Sequence, residues 1–169
     1  IKNLIIQGHI ITVVAEPNGG KTTLFLHLAG EMVDAGYKVI YINADTGAGD
    51  AKPMNVLAKV KGLELLLPDM FSGNMEDLVN KLAGMNEVQN ADHSKIVFIF
   101  DTLKKMTNVI NKANVKKLFK ILRGLTGKGM TIILLAHNNK YKDDNGLPVF
   151  EGTGDVRSDT DELIYLVPE

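Results

Sequence analysis

The apolar run Ile10-Ile11-Thr12-Val13-Val14 leads directly into Ala15-Glu16-Pro17-Asn18-Gly19-Gly20-Lys21-Thr22-Thr23. Small residues at this spacing let successive backbone N–H groups turn inward as a nest for an anion. A helix opening at the end of the loop adds the positive end of its dipole. Lys21 is then placed for the β and γ phosphates of a nucleotide, and the Thr22 hydroxyl for Mg²⁺. The pattern G-x-x-x-x-G-K-[ST] is met except at its first position, where Ala15 stands for glycine. That methyl demands a backbone conformation that an L-residue tolerates. Glu16 through Thr23 (Glu16, Pro17, Asn18, Gly19, Gly20, Lys21, Thr22 and Thr23) form the candidate ATP-binding segment. A Gly-rich turn with a solvated lysine is the plain alternative, but the strand before and the helix after supply the context the motif requires.

A second element complements the loop. Lys95-Ile-Val-Phe-Ile-Phe-Asp101 is an apolar strand ending in a carboxylate. Beside a phosphate loop, such an aspartate holds Mg²⁺, usually through water, while the metal bridges the terminal phosphates. Asp45 ends Tyr41-Ile42-Asn43-Ala44-Asp45 and is the candidate for orienting the attacking water; Asp45-Thr46-Gly47 also reads as turn chemistry. His137 follows the run Thr131–Ala136 and is expected at the same rim, where it can sense the γ-phosphate or serve as a structural histidine. Beyond it, Asp144-Asn145-Gly146 predicts a hairpin turn between Lys140-Tyr141-Lys142 and Leu147-Pro148-Val149-Phe150. Lys140 and Lys142 are candidates for contact with single-stranded nucleic acid, where lysines track phosphates and aromatics stack bases. A lid or an ordinary hairpin fits the same residues.

The elements that must position these groups alternate along the chain. Strand-like runs at 10–14, 38–42, 96–100, 131–136 and 162–167 are continuous in apolar residues, the mark of a parallel sheet covered on both faces. A helix is predicted over about 20–35 with Leu24, Leu28 and Met32 inward and Gly36 closing it. Another is predicted over about 112–125, where Val115, Leu118, Leu122 and Leu125 form an inward stripe and Lys116, Lys117, Lys120 and Arg123 lie on the flanks, ending at Gly127 or Gly129. Between the second and third long strands, a helix is expected from 75 to 83 and a short strand at 65–67. Right-handed strand-helix-strand units follow, with ligands at the carboxyl ends of the strands.

Composition narrows the classes. With 169 residues, 45% of them hydrophobic, the chain makes a single domain with a real core. The absence of cysteine excludes a disulfide framework and a thiolate metal site. A reducing, cytoplasmic location is the expectation. Apolar runs are too short to cross a bilayer as a helix, so no membrane role is expected. The first residue is Ile1 and the last two follow an apolar run, so a fragment trimmed at one or both ends is expected. The net charge of −1 is unevenly spread, for Thr102–Lys142 contains ten Lys or Arg and no Asp or Glu. That stretch reads as a footprint for phosphate backbones, or equally as a solvated helix face or a subunit contact. The only two arginines are Arg123 and Arg157.

Taken together these motifs resemble the RecA-like P-loop ATPases, most closely the ring-forming replicative helicases of the DnaB and plasmid RepA type. The resemblance rests on Ala15–Thr23, Asp45, Asp101-Thr102-Leu103 and Leu134-Leu135-Ala136-His137-Asn138-Asn139-Lys140. Gly154-Asp155-Val156-Arg157 and Asp161-Glu162-Leu163-Ile164-Tyr165-Leu166 extend it to nearly the whole chain. It implies an α/β fold with a mostly parallel sheet flanked by helices on both faces. It also implies Mg²⁺-dependent ATP hydrolysis, with Lys21, Asp45 and His137 catalytic and Thr22 and Asp101 at the metal. The family's catalytic base is usually glutamate, here the shorter Asp45. The loop after its sensor contacts single-stranded DNA in the ring's channel, and each site is completed by a basic finger from a neighbouring subunit. A homo-oligomer, possible as a hexameric ring, is the implied assembly. A motor or helicase-like ATPase is the leading expectation; a regulatory or recombination-mediator ATPase without unwinding is the alternative, and a small-molecule phosphotransferase is the weaker third.

Overall fold

The computed structural model describes residues 4–44, 46–67, 75–103, 112–142, 148–150 and 159–167. Its central sheet is built from β1 (Ile10–Ala15), β2 (Lys38–Asn43), β3 (Glu64–Leu66), β4 (Ile96–Asp101), β5 (Thr131–Lys142) and β7 (Glu162–Leu166) in the order β3-β2-β4-β5-β1-β7. These six pair in parallel. A short β6 (Pro148–Phe150) pairs antiparallel with the far end of β5. Parallel strands need crossovers, and the helices α1 (Lys21–Asp34), α2 (Ala48–Lys61), α3 (Met75–Glu87) and α4 (Lys112–Thr126) lie in them.

Continuous apolar strands present alternate residues to opposite faces, and the core divides accordingly. Ile11, Val13, Val39, Ile99, Ile133 and Leu135 pack with Phe25, Leu26 and Met32 of α1 and Met54 and Ala58 of α2. On the other face Ile10, Val14, Phe98, Phe100, Ile132 and Leu134 meet Leu78 and Leu82 of α3 and Leu118, Leu122 and Leu125 of α4. Each fully buried side chain of this kind contributes about 1.5–3 kcal/mol. In α4 the expected inward stripe is seen, with Lys116, Lys117, Lys120 and Arg123 exposed.

Helix α1 differs in its rotation. Leu24 is 40% exposed; Met32 faces the sheet as expected, with Leu28 partly buried beside it, but Phe25, Leu26 and Ala29 supply the rest of the inward face. Gly36 does close the helix: at φ 85° it lets its own N–H reach the Val33 carbonyl (2.8 Å) and the Tyr37 N–H reach that of Met32 (3.0 Å), satisfying carbonyls the helix leaves unpaired.

Helix α2 has no counterpart among the expected elements. Pro53 lies within it, so the Gly49 carbonyl has no N–H four residues on. The preceding Thr46-Gly47-Ala48-Gly49 reads as a turn. Exposed Val56, Leu57 and Val60 set against buried Met54 and Ala58 also blur its inward face. The hairpin expected after His137 is present as the pairing of Asn138 with Phe150 and Lys142 with Pro148. Its turn, Asp144-Asn145-Gly146, lies outside the described residues.

At the amino edge of the sheet one ion pair ties three elements. Arg123 Nη1 donates to both carboxylate oxygens of Asp161 (2.6 and 2.7 Å) and Nη2 to the Asp159 carbonyl (2.7 Å), while Asp161 Oδ2 also accepts the Ile10 N–H at 2.8 Å. Burial by itself raises the Asp161 pKa, but the Ile10 N–H and the Arg123 guanidinium outweigh it and hold the carboxyl below the ordinary value. A lowered folded-state pKa contributes stability above the unfolded pKa and loses it as pH falls through the folded one. Asp161→Asn is therefore expected to cost about 1 kcal/mol at pH 7 in urea unfolding, a figure already reduced for the partly exposed pair. The difference from wild type should shrink below about pH 4 as the wild-type carboxyl protonates. A difference constant from pH 7 to pH 2.5 would contradict this.

Candidate nucleotide site

The loop leaving β1 reverses the chain within a few residues. Its Gly19 N–H bonds the Glu16 carbonyl at 3.0 Å, Asn18 sits at φ 60° and Gly20 at φ 74°. Ala15 is the last residue of β1, 3% exposed and absent from the positive-φ residues, so the methyl at the motif's first position costs no backbone strain. Gly20 is the N-cap of α1 and supplies no side-chain cap; the first turn carries no acid. The first N–H groups of that helix are left without intrahelical partners, facing the loop with the positive dipole end.

Four side chains converge there because the register of the strands delivers them together. Ala15 is paired with His137 of β5, and Asp101 of β4 with Asn43 of β2. Lys21 is only 4% exposed; its ammonium lies 3.1 Å from His137 Nδ1 and 3.5 Å from the Glu16 carbonyl. An ammonium has donors only, so Nδ1 accepts and the imidazole proton sits on Nε2. The Thr22 hydroxyl donates to Asp101 Oδ2 at 2.6 Å. Asp101, 2% exposed, accepts on the same oxygen from the Tyr41 phenol at 2.9 Å and the Asn43 amide at 3.4 Å. Burial first, then the neighbouring Asp101 carboxylate, push the Tyr41 phenol far above its ordinary range, so it remains a neutral donor.

These groups border a cavity of about 480 Å³, lined by Asn18 through Thr23, Asn43, Asp101 and His137 and, from α2 and the segment before it, by Thr46, Asp50 and Met54. The volume lies within the range of small-molecule and cofactor pockets. Glu16 and Pro17 do not line it; Glu16 serves through its carbonyl. The donor set fits Mg²⁺: one hydroxyl and one carboxylate, both hard oxygens, beside the unpaired N–H groups that open α1. This ion keeps most of its water and needs few protein ligands. Among the described residues no group of three or more His, Cys, Asp or Glu could hold a metal alone.

Asp45 lies outside the described residues, as do Arg157 and Gly154-Asp155-Val156. Lys140 and Lys142 fall on the β5 arm of the hairpin, and their side chains lie outside the described part. Arg123 is engaged at the amino edge; with about 3.3 Å per residue, the length of β1 separates that edge from the loop. Residues the motifs did not reveal are Tyr41, Thr46, Asp50 and Met54, with Asn43 now in contact with Asp101. The available signal was Tyr41-x-Asn43, two polar groups on one face of an otherwise apolar strand.

No protein-family model and no curated protein sequence matches the chain. Among solved structures it is similar to the flagellar accessory protein FlaH from Methanocaldococcus jannaschii. The TM-score is 0.61 at 22% identity, over 95% of this chain and 72% of that one. The fold is therefore RecA-like α/β. No helix among the described residues is long and apolar enough to cross a membrane.

The loop geometry makes a direct prediction. A Cβ at Gly20 meets nothing within 4 Å, so Gly20→Ala should cost only its left-handed backbone, about 1–2 kcal/mol. Urea unfolding without ligand measures it, and unchanged stability would contradict the conformation.

Proposed function

We propose that the chain is the Mg²⁺-dependent ATP-binding and hydrolysing domain of a helicase-like RecA-type ATPase that acts on nucleic acid as a homo-oligomer. The observation that carries the reading is the meeting of Lys21, Thr22, Asp101 and His137 at one cavity at the carboxyl edge of the sheet. In this reading the N–H groups of Gly19 to Thr23 receive the phosphates and Lys21 exchanges its His137 contact for the β and γ oxygens. Thr22 and Asp101 would hold Mg²⁺, which when bound offsets charge on the transferring phosphoryl group. Asp45, following β2 and Asn43, is the proposed water-orienting carboxylate. His137 touches Lys21 at the point where β5 runs on into the hairpin. That continuity supports coupling between nucleotide and the arm bearing Lys140 and Lys142, the proposed contact with single-stranded nucleic acid.

A second reading has its own support. The solved neighbour is a flagellar accessory protein, which favours a regulatory ATPase of the same fold whose nucleotide switches assembly without unwinding.

One measurement tests the site that both readings share, and a second separates them. Lys21→Ala should weaken equilibrium ATP binding at least tenfold, the scale of one lost charge-assisted hydrogen bond; unchanged affinity would refute the nucleotide site. ATP turnover of the full-length protein should rise on adding single-stranded DNA or RNA. Turnover indifferent to both would refute the nucleic-acid motor and favour the regulatory reading.

A further inference from the structure

Tyr41 is an unusual choice for its place. It is 0% exposed in the interior of β2, between Ile40 and Ile42. A phenylalanine there would fill the same space without burying a hydroxyl, and a buried hydroxyl costs free energy unless it is bonded. Its partner is Asp101 Oδ2, at 2.9 Å. Strand register explains the meeting: Asn43 is the direct neighbour of Asp101, and Tyr41, two residues earlier, shares its face.

Asn43 is held in turn. Its Oδ1 accepts the Thr46 N–H at 2.8 Å, so the amide must turn Nδ2 towards the carboxylate, where it stands 3.4 Å from Oδ2. The reverse orientation would set two acceptors against each other. With the Thr22 hydroxyl at 2.6 Å, Oδ2 receives three donors. Oδ1 receives no hydrogen bond from the described residues.

We infer that Tyr41 and Asn43 are positioning residues that lock the Asp101 carboxylate by one oxygen and so present the other to a nucleotide-bound divalent cation. The inference rests on the ATP-site reading above. It assigns the two side chains to the metal half of the site and not to the phosphate half, which belongs to the loop and Lys21. A carboxylate free to rotate would spend much of its time with neither oxygen correctly aimed, and outer partners of this kind are worth about 10–100-fold in metal affinity.

The test is equilibrium binding of a fluorescent ATP analogue, in EDTA and across a Mg²⁺ series, to wild type, Tyr41→Phe and Asn43→Ala. Tyr41→Phe keeps the ring and removes only the donor. Its affinity in EDTA should stay within about twofold of wild type, while the Mg²⁺ concentration giving half of the metal-dependent gain should rise roughly tenfold. Asn43→Ala, losing the longer bond, should shift in the same direction by less. Wild-type Mg²⁺ dependence in Tyr41→Phe would overturn the inference. Equal losses with and without Mg²⁺ would also overturn it, because they would mean a merely structural role. Should Tyr41→Phe fail to fold by circular dichroism, Asn43→Ala carries the same comparison. A wild-type protein that binds no ATP, or binds it with no regard to Mg²⁺, would instead overturn the nucleotide-site reading and this inference with it.

Discussion

A carboxylate that is 2% exposed at the end of an apolar strand must be met by donors, because an unpaired buried charge costs several kcal/mol. For Asp101 the three donors come from two separate pieces of chain: Thr22 at the start of α1, and Tyr41 and Asn43 on β2. Satisfying this one group therefore fixes the height of α1 over the sheet and the alignment of β2 against β4. It also ties down the start of α1, where the loop after β1 ends. The site is held by the same hydrogen bonds that join the elements around it.

The parallel sheet does the rest of the gathering. All six parallel strands run the same way, so the loop after β1, Asn43 at the end of β2, Asp101 of β4 and His137 of β5 must emerge at one edge. Lys21, nearly buried, is held by contacts with His137 and with the Glu16 carbonyl of its own loop. In the proposed function a side-chain movement brings it to an incoming phosphate. At the opposite edge Arg123 and Asp161 tie α4 to the starts of β1 and β7, so this anchor and the candidate site occupy different ends of the same strands.

What could be read from the sequence was what is local. The Ala15–Thr23 loop, the Lys95–Asp101 strand and the stripe Val115, Leu118, Leu122, Leu125 each declare themselves within a few residues. Helix α2 did not, because Gly47, Gly49 and Pro53 speak for a turn, and packing against α1 and β3 overrides that local preference. In α1 apolar residues at 24, 25, 26, 28 and 29 allow more than one inward face, and only the sheet chooses Phe25 over Leu24. The polar run Asn138-Asn139-Lys140 reads as loop until β6 supplies its ladder partners. Tyr41 against Asp101, and Arg123 against Asp161, depend on strand register and on contacts 60 and 38 residues apart in sequence, which no short window contains.

The central claim is that the carboxyl edge of this sheet receives the triphosphate of a nucleotide. Amide ¹H–¹⁵N spectra of the labelled protein, titrated with ATP and Mg²⁺, test it residue by residue. The account predicts large shifts at Gly19, Gly20, Lys21, Thr22 and Thr23, smaller ones at Asp101 and His137, and none at His9, Arg123 or Asp161. Shifts centred on the amino edge, or a spectrum that saturating ATP leaves unchanged, would contradict it.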